Sequence, residues 1–441
     1  MASDEVEMLR AMGLRGVDDL FADIPAKVRS GSLELAPGLS EQEVVARVTE
    51  ILSANRTMAE MPTFLGGGLY DHFVPASVRA IASRAEFYTS YTPYQPELSQ
   101  GILQALWEYQ SLICELTGMD AANTSMYDAS TALGEAARMA NRIHGGNIFL
   151  VPRALRWDRR SVLENYARGS GLTIREVDYD RSTGELDLSS LRGALSSDVC
   201  GVYVETPNYF GRFEEHLEEI RKMANSAVLV VGVNPLALAI VRPPGDFGAD
   251  IVIGEGQALG NAVNFGGPLL GLFACRQEHL RKMPGRVIGL TKDARGNRAF
   301  CMTLQTREQH IRREKAMSNI CTNESLLAVA SAAYMAVLGS NGLRRLAAEN
   351  MRKARGLMER IARIKGFTSP VFKGPHFNEF TVRHEKGYKV VHRALLARGV
   401  HGGLRLTRQI PELIDVALFA TTERHTEEQH RRLIEALEAV V

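Results

Sequence analysis

Short apolar runs alternate with helical segments over residues 147–275, and this alternation constrains the fold of the 441-residue chain more than any other feature. The strand-like runs are Ile148–Val151, Leu172–Val177, Val202–Val204, Val228–Val231 and Ile251–Ile253. The helical segments between them are Arg159–Arg168, Ser189–Leu195 and Phe213–Ala224. Strands and helices in alternating series predict an α/β domain, in which a parallel sheet carries helices on both faces.

Sheets of this kind bind ligands at the carboxyl ends of their strands. The loops predicted at that edge read ETPN at 205–208, GVNP at 232–235 and GEGQ at 254–257. The third loop opens a glycine-rich stretch, 254–268, which has no lysine, histidine, serine, threonine or cysteine. Glu255 is the one charged side chain of that stretch. The loop therefore has the form of a ligand site with few reactive groups.

The rest of the sequence predicts an N-terminal arm before the sheet domain and a smaller domain after it. The first sixty residues are polar and helical, with a capping box at Ser40–Glu43. Further helices are expected from Pro96 to Gly118, over 128–143 and over 324–364, while residues 278–320 are Arg-rich and irregular. The end mixes strands (377–382, 416–419) with helices (388–397, 427–440). We expect an N-terminal arm over 1–60, a large domain over 61–325 and a small α+β domain over 326–441.

Composition excludes several classes of protein. The net charge of +1 gives no reason to expect nucleic acid as a partner. Five scattered cysteines without a CxxC pair predict free thiols in a reducing compartment. No secretory signal and no long apolar run are evident, so we expect a cytoplasmic protein with no membrane span. The eleven histidines form no metal-binding pair, so no metal is expected.

Two short motifs favour structural roles. Gly66-Gly67-Gly68 lacks the GK[ST] ending of a phosphate loop and follows no clear strand, so close backbone approach is favoured over a nucleotide site. His72 follows this triplet, and we favour a structural histidine with its hydrogen bonds satisfied over a functional one.

Residues 89–101, TSYTPYQPELSQG, are called the tyrosine segment here. They combine tyrosines, glutamines, a glutamate and prolines immediately before a predicted helix N-terminus. Such a segment can supply rigid, directional hydrogen bonds. The sequence leaves two interpretations open, an elaborate helix cap or a functional surface.

Three stretches resemble the glycine decarboxylase P-protein of the glycine cleavage system. They read FLGGGLYDHFVPASV from residue 64, EFYTSYTPYQPELSQGILQALWEYQSLICELTGMD from residue 86 and REQHIRREKAMSNICTNESL from residue 307. The resemblance covers nearly the whole chain and fits the amino-terminal half of the family, subunit 1 or the α chain.

The resemblance implies the fold of the fold-type-I pyridoxal-phosphate enzymes, a three-layer αβα domain with a smaller C-terminal α+β domain. In that fold a lysine just beyond a strand forms a Schiff base with the cofactor, and an aspartate at the end of an earlier strand holds the pyridine nitrogen. Here no lysine lies between Lys222 and Lys282, and Gly232, Val233 and Asn234 stand where the aspartate is expected. We therefore expect no covalent cofactor and no Schiff-base lysine on this chain.

The resemblance further implies a subunit of a heteromeric glycine dehydrogenase (aminomethyl-transferring, decarboxylating). A β subunit would carry the lysine and pyridoxal phosphate, glycine would be the substrate, and the lipoyl arm of the H-protein would accept the aminomethyl group in an α2β2 assembly. Tyr91, Tyr94, Gln95 and Glu97 are the candidates to reach the partner's site. The alternatives are that they only pack the subunit interface, that the chain is a structural or regulatory pseudoenzyme, or that it is an independent nucleotide-using enzyme.

Overall fold

The computed structural model describes residues 2–31, 34–304 and 309–440. Its α-helices are α1 Ala2–Ala11, α2 Glu41–Leu52, α3 Ala76–Ala82, α4 Ala85–Tyr88, α5 Gln100–Thr117, α6 Ala129–His144, α7 Trp157–Arg168, α8 Leu188–Ala194, α9 Leu217–Ala224, α10 Gln309–Arg312, α11 Ser325–Ala362, α12 Tyr388–Ala397 and α13 Glu427–Glu438. Its strands are β1 Thr63–Phe64, β2 Ala121–Ala122, β3 Ile148–Pro152, β4 Thr173–Val177, β5 Val199–Thr206, β6 Val228–Val233, β7 Ile251–Glu255, β8 Gly271–Cys275, β9 Val287–Lys292, β10 Arg298–Thr303, β11 Phe367–Thr368, β12 Glu379–His384, β13 His401–Gly402, β14 Leu404–Arg405 and β15 Val416–Ala420.

The chain divides into two compact units, Met1–Thr57 and Met58–Val441. The first unit holds α1 and α2. The predicted capping box at the start of α2 is confirmed, because Ser40 Oγ accepts the Glu43 N–H and the Glu43 carboxylate accepts the Ser40 N–H at 2.8 Å.

The second unit is built around a seven-stranded sheet in the order β2-β8-β7-β6-β5-β3-β4. Strands β3 to β7 are mutually parallel, and β8 runs antiparallel to β7. Successive residues of each strand face opposite sides, so Val230 packs with α6 and α7 while Val231 packs with α5 and α11. This arrangement confirms the α/β prediction and its three αβα layers.

Two features of the sheet region differ from the sequence prediction. Residues 278–320 are not uniformly irregular, because β9 and β10 form an antiparallel pair within them. That hairpin is buried mainly at its start, with Ile288 buried and Leu290 53% exposed, so its apolar pattern is weak. Strand β8 is also absent from the prediction, because its run GLFAC follows the glycine-rich stretch without a polar break.

A four-stranded antiparallel sheet, β11-β12-β15-β14, packs with α12 and α13 near the C-terminus. This part confirms the predicted α+β character. Helix α11 contributes Tyr334 to the core of the large sheet and Leu357 to the core of the small one. Helix α11 is interrupted at Gly339 (φ +59°, ψ 179°), but Leu343 and Ala347 beyond the interruption still pack in the core of the large sheet, so the domain boundary at residue 325 stays a prediction.

Among the described residues, α11 is the one helix long and apolar enough to cross a membrane by length and composition. Ala328, Val329 and Tyr334 of this helix are buried in the same cluster as the central strands. Part of the apolar stretch, 39% of it, is therefore buried, and these three residues pack in the core of the sheet domain.

Candidate functional site

The three predicted ligand loops meet at one edge of the sheet, which confirms their predicted placement. Neighbouring parallel strands β5, β6 and β7 end side by side, so Glu205, Asn234 and Glu255 line a common cavity. We call this cavity the strand-end cleft. Its remaining lining residues come from the chain on either side, namely Gly68, Tyr70, Arg156, Arg159, Pro207, Asn208, Tyr209, Val233, Ala258 and Glu379.

A buried ion pair occupies one side of the strand-end cleft. The Arg159 guanidinium, from α7, donates to the Glu205 carboxylate, which also accepts the Tyr203 hydroxyl proton at 2.7 Å. The side chains of Arg159 and Glu205 are only 10% and 4% exposed. Arg159 and Tyr203 donate to the same oxygen of Glu205, Oε1, while the buried Arg159 Nε has no hydrogen-bond partner among the described residues, so the bonding of this buried pair is incomplete.

Gly232 explains how Tyr203 fits beside the neighbouring strand. A Cβ atom at Gly232 would lie 2.2 Å from the Tyr203 hydroxyl oxygen. Gly232 is one of the positions at which the family resemblance leads one to expect an aspartate. The glycine instead makes room for a tyrosine that belongs to the ion-pair network.

A carboxylate fills the second side of the cleft. Glu255 accepts the backbone N–H groups of Gln257 at 3.1 Å, Leu270 at 3.0 Å and Ala129 at 3.2 Å. Ala129 is the first residue of α6, and a helix N-terminus is a common binding site for phosphate and other anions. Burial raises the pKa of Glu255 to about 7, although the three N–H groups act in the opposite direction. An internal side chain therefore takes the place that an anionic ligand could use.

The glycine-rich loop after β7 is tied to the segment that precedes α3. Gln257 donates to the Tyr70 carbonyl at 2.9 Å and accepts the Tyr70 N–H at 3.1 Å. The same amide donates to the Asn261 carbonyl at 2.8 Å. The loop thus has a structural function, which explains how a site-like turn exists with so few reactive groups.

The glycine triplet supports the cleft by close backbone approach, as predicted. The Gly67 N–H is donated to the buried Glu379 carboxylate, and Arg156 donates to the Gly67 carbonyl and to Asp158. Gly68 has a left-handed φ of +87°, and a Cβ atom there would lie 1.8 Å from a guanidinium nitrogen of Arg156. Only glycine satisfies both constraints.

His72 is buried and bonded through one ring nitrogen, but its Nε2 has no hydrogen-bond partner among the described residues, so the expected satisfied histidine is met only in part. Its Nδ1 lies 2.8 Å from the Glu423 carboxylate, and the histidine side chain is only 1% exposed. Burial alone would raise the pKa of Glu423, but hydrogen bonds from His72, Phe73 and Asn350 lower it to about 2. This pair joins the segment before α3 to the loop after β15.

Pyridoxal phosphate does not fit the strand-end cleft while the side chains that line the cleft keep the positions described above. The cavity that remains is about 40 Å³, enough for a few water molecules at about 10–15 Å³ each. The arginine and glutamate side chains that fill it are bonded to one another, and no lysine lies between Lys222 and Lys282. Lys282 itself donates to the Arg142 carbonyl at 2.8 Å.

The tyrosine segment lies apart from the cleft lining, at the N-terminus of α5. All four candidate residues are exposed in the single chain, with Tyr91 at 76% and Tyr94 at 48%. The segment is anchored at its end by Gln100, which donates to the Phe300 carbonyl and accepts the Phe300 N–H, both at 2.9 Å. The contribution of these four side chains to a partner's site stays a prediction.

Sequence reasoning did not single out Arg286, which connects two of the motifs. Its guanidinium donates to the Tyr94 hydroxyl at 3.0 Å, to Thr92 Oγ1 at 3.3 Å and to the Cys321 carbonyl at 2.6 Å. Asn323 Oδ1 lies 3.5 Å from it. We call these five residues the Arg286 cluster. One arginine in an Arg-rich stretch has no distinguishing sequence pattern. Only the fold places Arg286 between the tyrosine segment and the stretch around Cys321.

Hydrogen bonds with α6 fix the SNICTN stretch, residues 318–323 of the quoted sequence that starts at residue 307. Buried Glu135 accepts the Ser318 hydroxyl at 2.7 Å, and Arg142 donates to the Met317 carbonyl at 2.9 Å. Burial raises the pKa of Glu135, and the hydrogen bond from Ser318 opposes that shift. The first two residues of the quoted motif, at 307 and 308, lie outside the described residues.

Comparison with known proteins decides the family. The family model described as "Glycine cleavage system P-protein" matches residues 1–437. The chain belongs to the glycine cleavage system P-protein family. A "Probable glycine dehydrogenase (decarboxylating) subunit 1" of Pyrococcus abyssi is 50% identical, with 99% of this chain and 97% of that protein covered. Proteins with the same description from Thermococcus kodakarensis and Desulfitobacterium hafniense are 48% and 45% identical, over at least 97% of this chain and 96% of each relative.

Solved structures agree with this assignment to the P-protein family. The crystal structure of an inhibitor-bound glycine decarboxylase (P-protein) of the glycine cleavage system is 39% identical, with a TM-score of 0.93. It covers 100% of this chain, and this chain covers 99% of it. Sphingosine-1-phosphate lyase of Burkholderia pseudomallei has a TM-score of 0.68 at 14% identity over 95% of this chain and 94% of that one, which shows the fold alone.

Proposed function

We propose that this P-protein family member is the subunit of glycine decarboxylase that carries no Schiff-base lysine. With a second, lysine-bearing subunit it decarboxylates glycine by means of pyridoxal phosphate and transfers the aminomethyl group to the lipoyl arm of the H-protein. The observation that carries this proposal is the nearly full-length match to chains named subunit 1. The comparisons give no support to a purely structural or regulatory pseudoenzyme.

We infer that the cofactor belongs to the second subunit, because this chain fills its own strand-end cleft. Arg159 and Glu205 pair inside it, and Glu255 holds the N-terminus of α6. Pyridoxal phosphate, where it is bound, supplies the electron sink for loss of the glycine carboxylate. An α2β2 assembly suits two kinds of chain of which one holds the cofactor.

This chain's contribution to the reaction is proposed to come from the tyrosine segment. Tyr94 and Glu97 are exposed, and Tyr88, Tyr91 and Leu98 beside them are each at least 72% exposed. An exposed group of large side chains favours burial against a partner. The backbone on both sides of Tyr94 is restrained by Pro93 and Pro96, so its hydroxyl could orient a substrate group at little entropic cost.

The test is glycine-dependent carbon dioxide exchange by the assembled complex with H-protein. Tyr94→Phe and Glu97→Gln should each lower the exchange rate by about ten- to a hundredfold, since one lost hydrogen bond to the transition state is worth roughly 1–3 kcal/mol. Size-exclusion chromatography should show the complex intact. Exchange at the unchanged rate by both assembled variants would remove the active-site role of the segment.

A further inference from the structure

Arg286 joins parts of the chain that are far apart in sequence. Its guanidinium reaches the tyrosine segment through Thr92 and Tyr94, and it reaches the SNICTN stretch through the Cys321 carbonyl. The guanidinium carbon also lies 5.4 Å from the centre of the Tyr94 ring. The hydroxyl and the ring of Tyr94 are therefore both in contact with the same cation.

We propose that Arg286 is a positioning residue for glycine decarboxylation, because it fixes the Tyr94 side chain in the orientation that the partner's site uses. This inference rests on the proposed function of the tyrosine segment. Arg286 itself is not proposed to touch the substrate or the reacting atoms.

Arginine has the geometry that this role requires. Its planar guanidinium carries five N–H donors in a rigid fork, so one side chain can serve acceptors that lie in different directions. The acceptors of Arg286 include a hydroxyl on each of Thr92 and Tyr94, the backbone carbonyl of Cys321 and, at 3.5 Å, Asn323 Oδ1. A lysine ammonium is a compact charge and would not present the same fixed directions.

The backbone that carries Arg286 is itself fixed. The Arg286 carbonyl accepts the Thr124 N–H at 2.8 Å, and the Pro284 carbonyl accepts the Asn123 side-chain amide at 3.1 Å. Gly285, between them, has a φ of +75°, and a Cβ atom there would lie 2.7 Å from Asn123 Nδ2. The turn that aims Arg286 therefore requires glycine and is tied to the edge of the main sheet.

The Tyr94 side chain needs such support because it is half exposed. A tyrosine that is 48% exposed in the single chain has few core neighbours to hold its ring. Without the guanidinium, Tyr94 would lose a hydrogen bond and a ring contact, and its hydroxyl would sample more positions. Catalytic groups lose much of their effect when they are displaced by as little as about 1 Å.

The experiment is a double-mutant cycle on the assembled complex with H-protein, with glycine-dependent exchange as the readout. Arg286→Met keeps the length of the side chain and removes its donors. It should lower the exchange rate roughly tenfold in the wild-type background and less than about twofold in a Tyr94→Phe background. Arg286→Lys should restore part of the loss. Arg181→Met is the matched control, because Arg181 also lies over a tyrosine ring, that of Tyr179 at 4.2 Å.

The outcomes of the double-mutant cycle distinguish a positioning role of Arg286 from an independent or a purely structural one. Slow exchange by Arg286→Met that shrinks in the Tyr94→Phe background, with intact complex and an unchanged Arg181→Met control, supports the proposal. An equal loss in both backgrounds overturns it, because Arg286 would then act independently of Tyr94. Failure of both Arg286→Met and Arg286→Lys to assemble also overturns it, since the role would then be structural.

The cycle also separates this inference from the proposed function. If Tyr94→Phe slows exchange and Arg286→Met does not, the positioning role is wrong while the tyrosine segment keeps its role. If neither variant slows exchange, the active-site role of Tyr94 is wrong as well.

Discussion

The strand-end cleft and the Arg286 cluster use similar side chains in opposite ways. In the cleft, the Arg159 and Glu205 side chains are 10% and 4% exposed and bond to each other. In the Arg286 cluster, an arginine holds a tyrosine that remains 48% exposed. The first arrangement satisfies its charges internally, whereas the second leaves a polar group available to another molecule.

This difference assigns separate roles to the two regions. The cleft stands where α/β enzymes of this fold bind ligands, yet its own side chains fill it, so it should contribute stability. The Arg286 cluster should contribute to turnover only when a partner covers it. Substitutions in the cleft should therefore change unfolding and leave exchange by the assembled complex unchanged, and substitutions in the cluster should do the reverse.

The largest effect is expected from breaking the buried ion pair. Arg159→Met leaves the Glu205 carboxylate buried without its cation, which should lower the free energy of unfolding by about 3–5 kcal/mol. Urea unfolding measures this loss. Arg160→Met, on the same helix, is the matched control and should cost less than about 1 kcal/mol, because its pair with Glu176 is partly exposed.

A second variant sharpens this test of the cleft. Replacing both Arg159 and Glu205 by methionine removes the uncompensated charge, so the double variant should be more stable than Arg159→Met alone. Complexes that contain either variant and still assemble should exchange carbon dioxide at the wild-type rate. A large loss of exchange in an assembled Arg159→Met complex would contradict the structural role of the cleft.

A smaller effect is expected from the buried carboxylate at the start of α6. Burial raises the pKa of Glu255 to about 7, so the folded chain holds a proton there that the unfolded chain has released. Its contribution to stability is therefore lost as pH rises from about 4.5 to 7, by up to about 3 kcal/mol. The stability of Glu255→Gln relative to wild type should rise by that amount over the same pH range.

Unfolding of both proteins at about pH 4.5 and about pH 7 measures this pH-dependent difference. Any effect of the substitution on the free energy of unfolding that does not depend on pH cancels, because only the change between the two pH values is compared. Glu359→Gln replaces an exposed glutamate on α11 and should show little change with pH. A difference for Glu255→Gln that does not change with pH would show that folding does not raise the pKa of Glu255.

The smallest effect is expected at Gly232. In Gly232→Ala, the new methyl group would meet the Tyr203 hydroxyl oxygen at 2.2 Å unless the tyrosine moves, which should cost about 1–3 kcal/mol. Gly356→Ala is the control, because Gly356 lies in α11 and a methyl group added there would meet nothing within 4 Å. That control should stabilise the helix by up to about 1 kcal/mol.

The sequence predicts the central strands β5, β6 and β7, which are fully buried, whereas the equally buried β8 has no polar break before it and is not revealed by the same pattern. Val228–Val231 and Ile251–Ile253 are continuous apolar runs followed by loops with glycine and polar residues, so the pattern indicates both the strands and the meeting point of their loops. Strands β9 and β10 are partly exposed and alternate weakly, so the same pattern does not reveal them.

The chemistry of the sites was less predictable than their positions. The absence of a lysine between Lys222 and Lys282 concerns residue type alone, so it can be read directly from the sequence. The pairing of Arg159 with Glu205 joins residues 46 positions apart, and that of Arg286 with Tyr94 joins residues 192 apart. Neither pair has a local pattern, so only the fold shows that one is buried and the other exposed.

The central claim is that this chain lends side chains to a site whose cofactor is bound by the second subunit. The most direct test is borohydride reduction of the assembled complex with pyridoxal phosphate, followed by mass analysis of the separated chains. Reduction converts the Schiff base into a stable bond between the cofactor and its lysine. We predict the added mass on the second subunit alone, and added mass on a lysine of this chain would contradict the account.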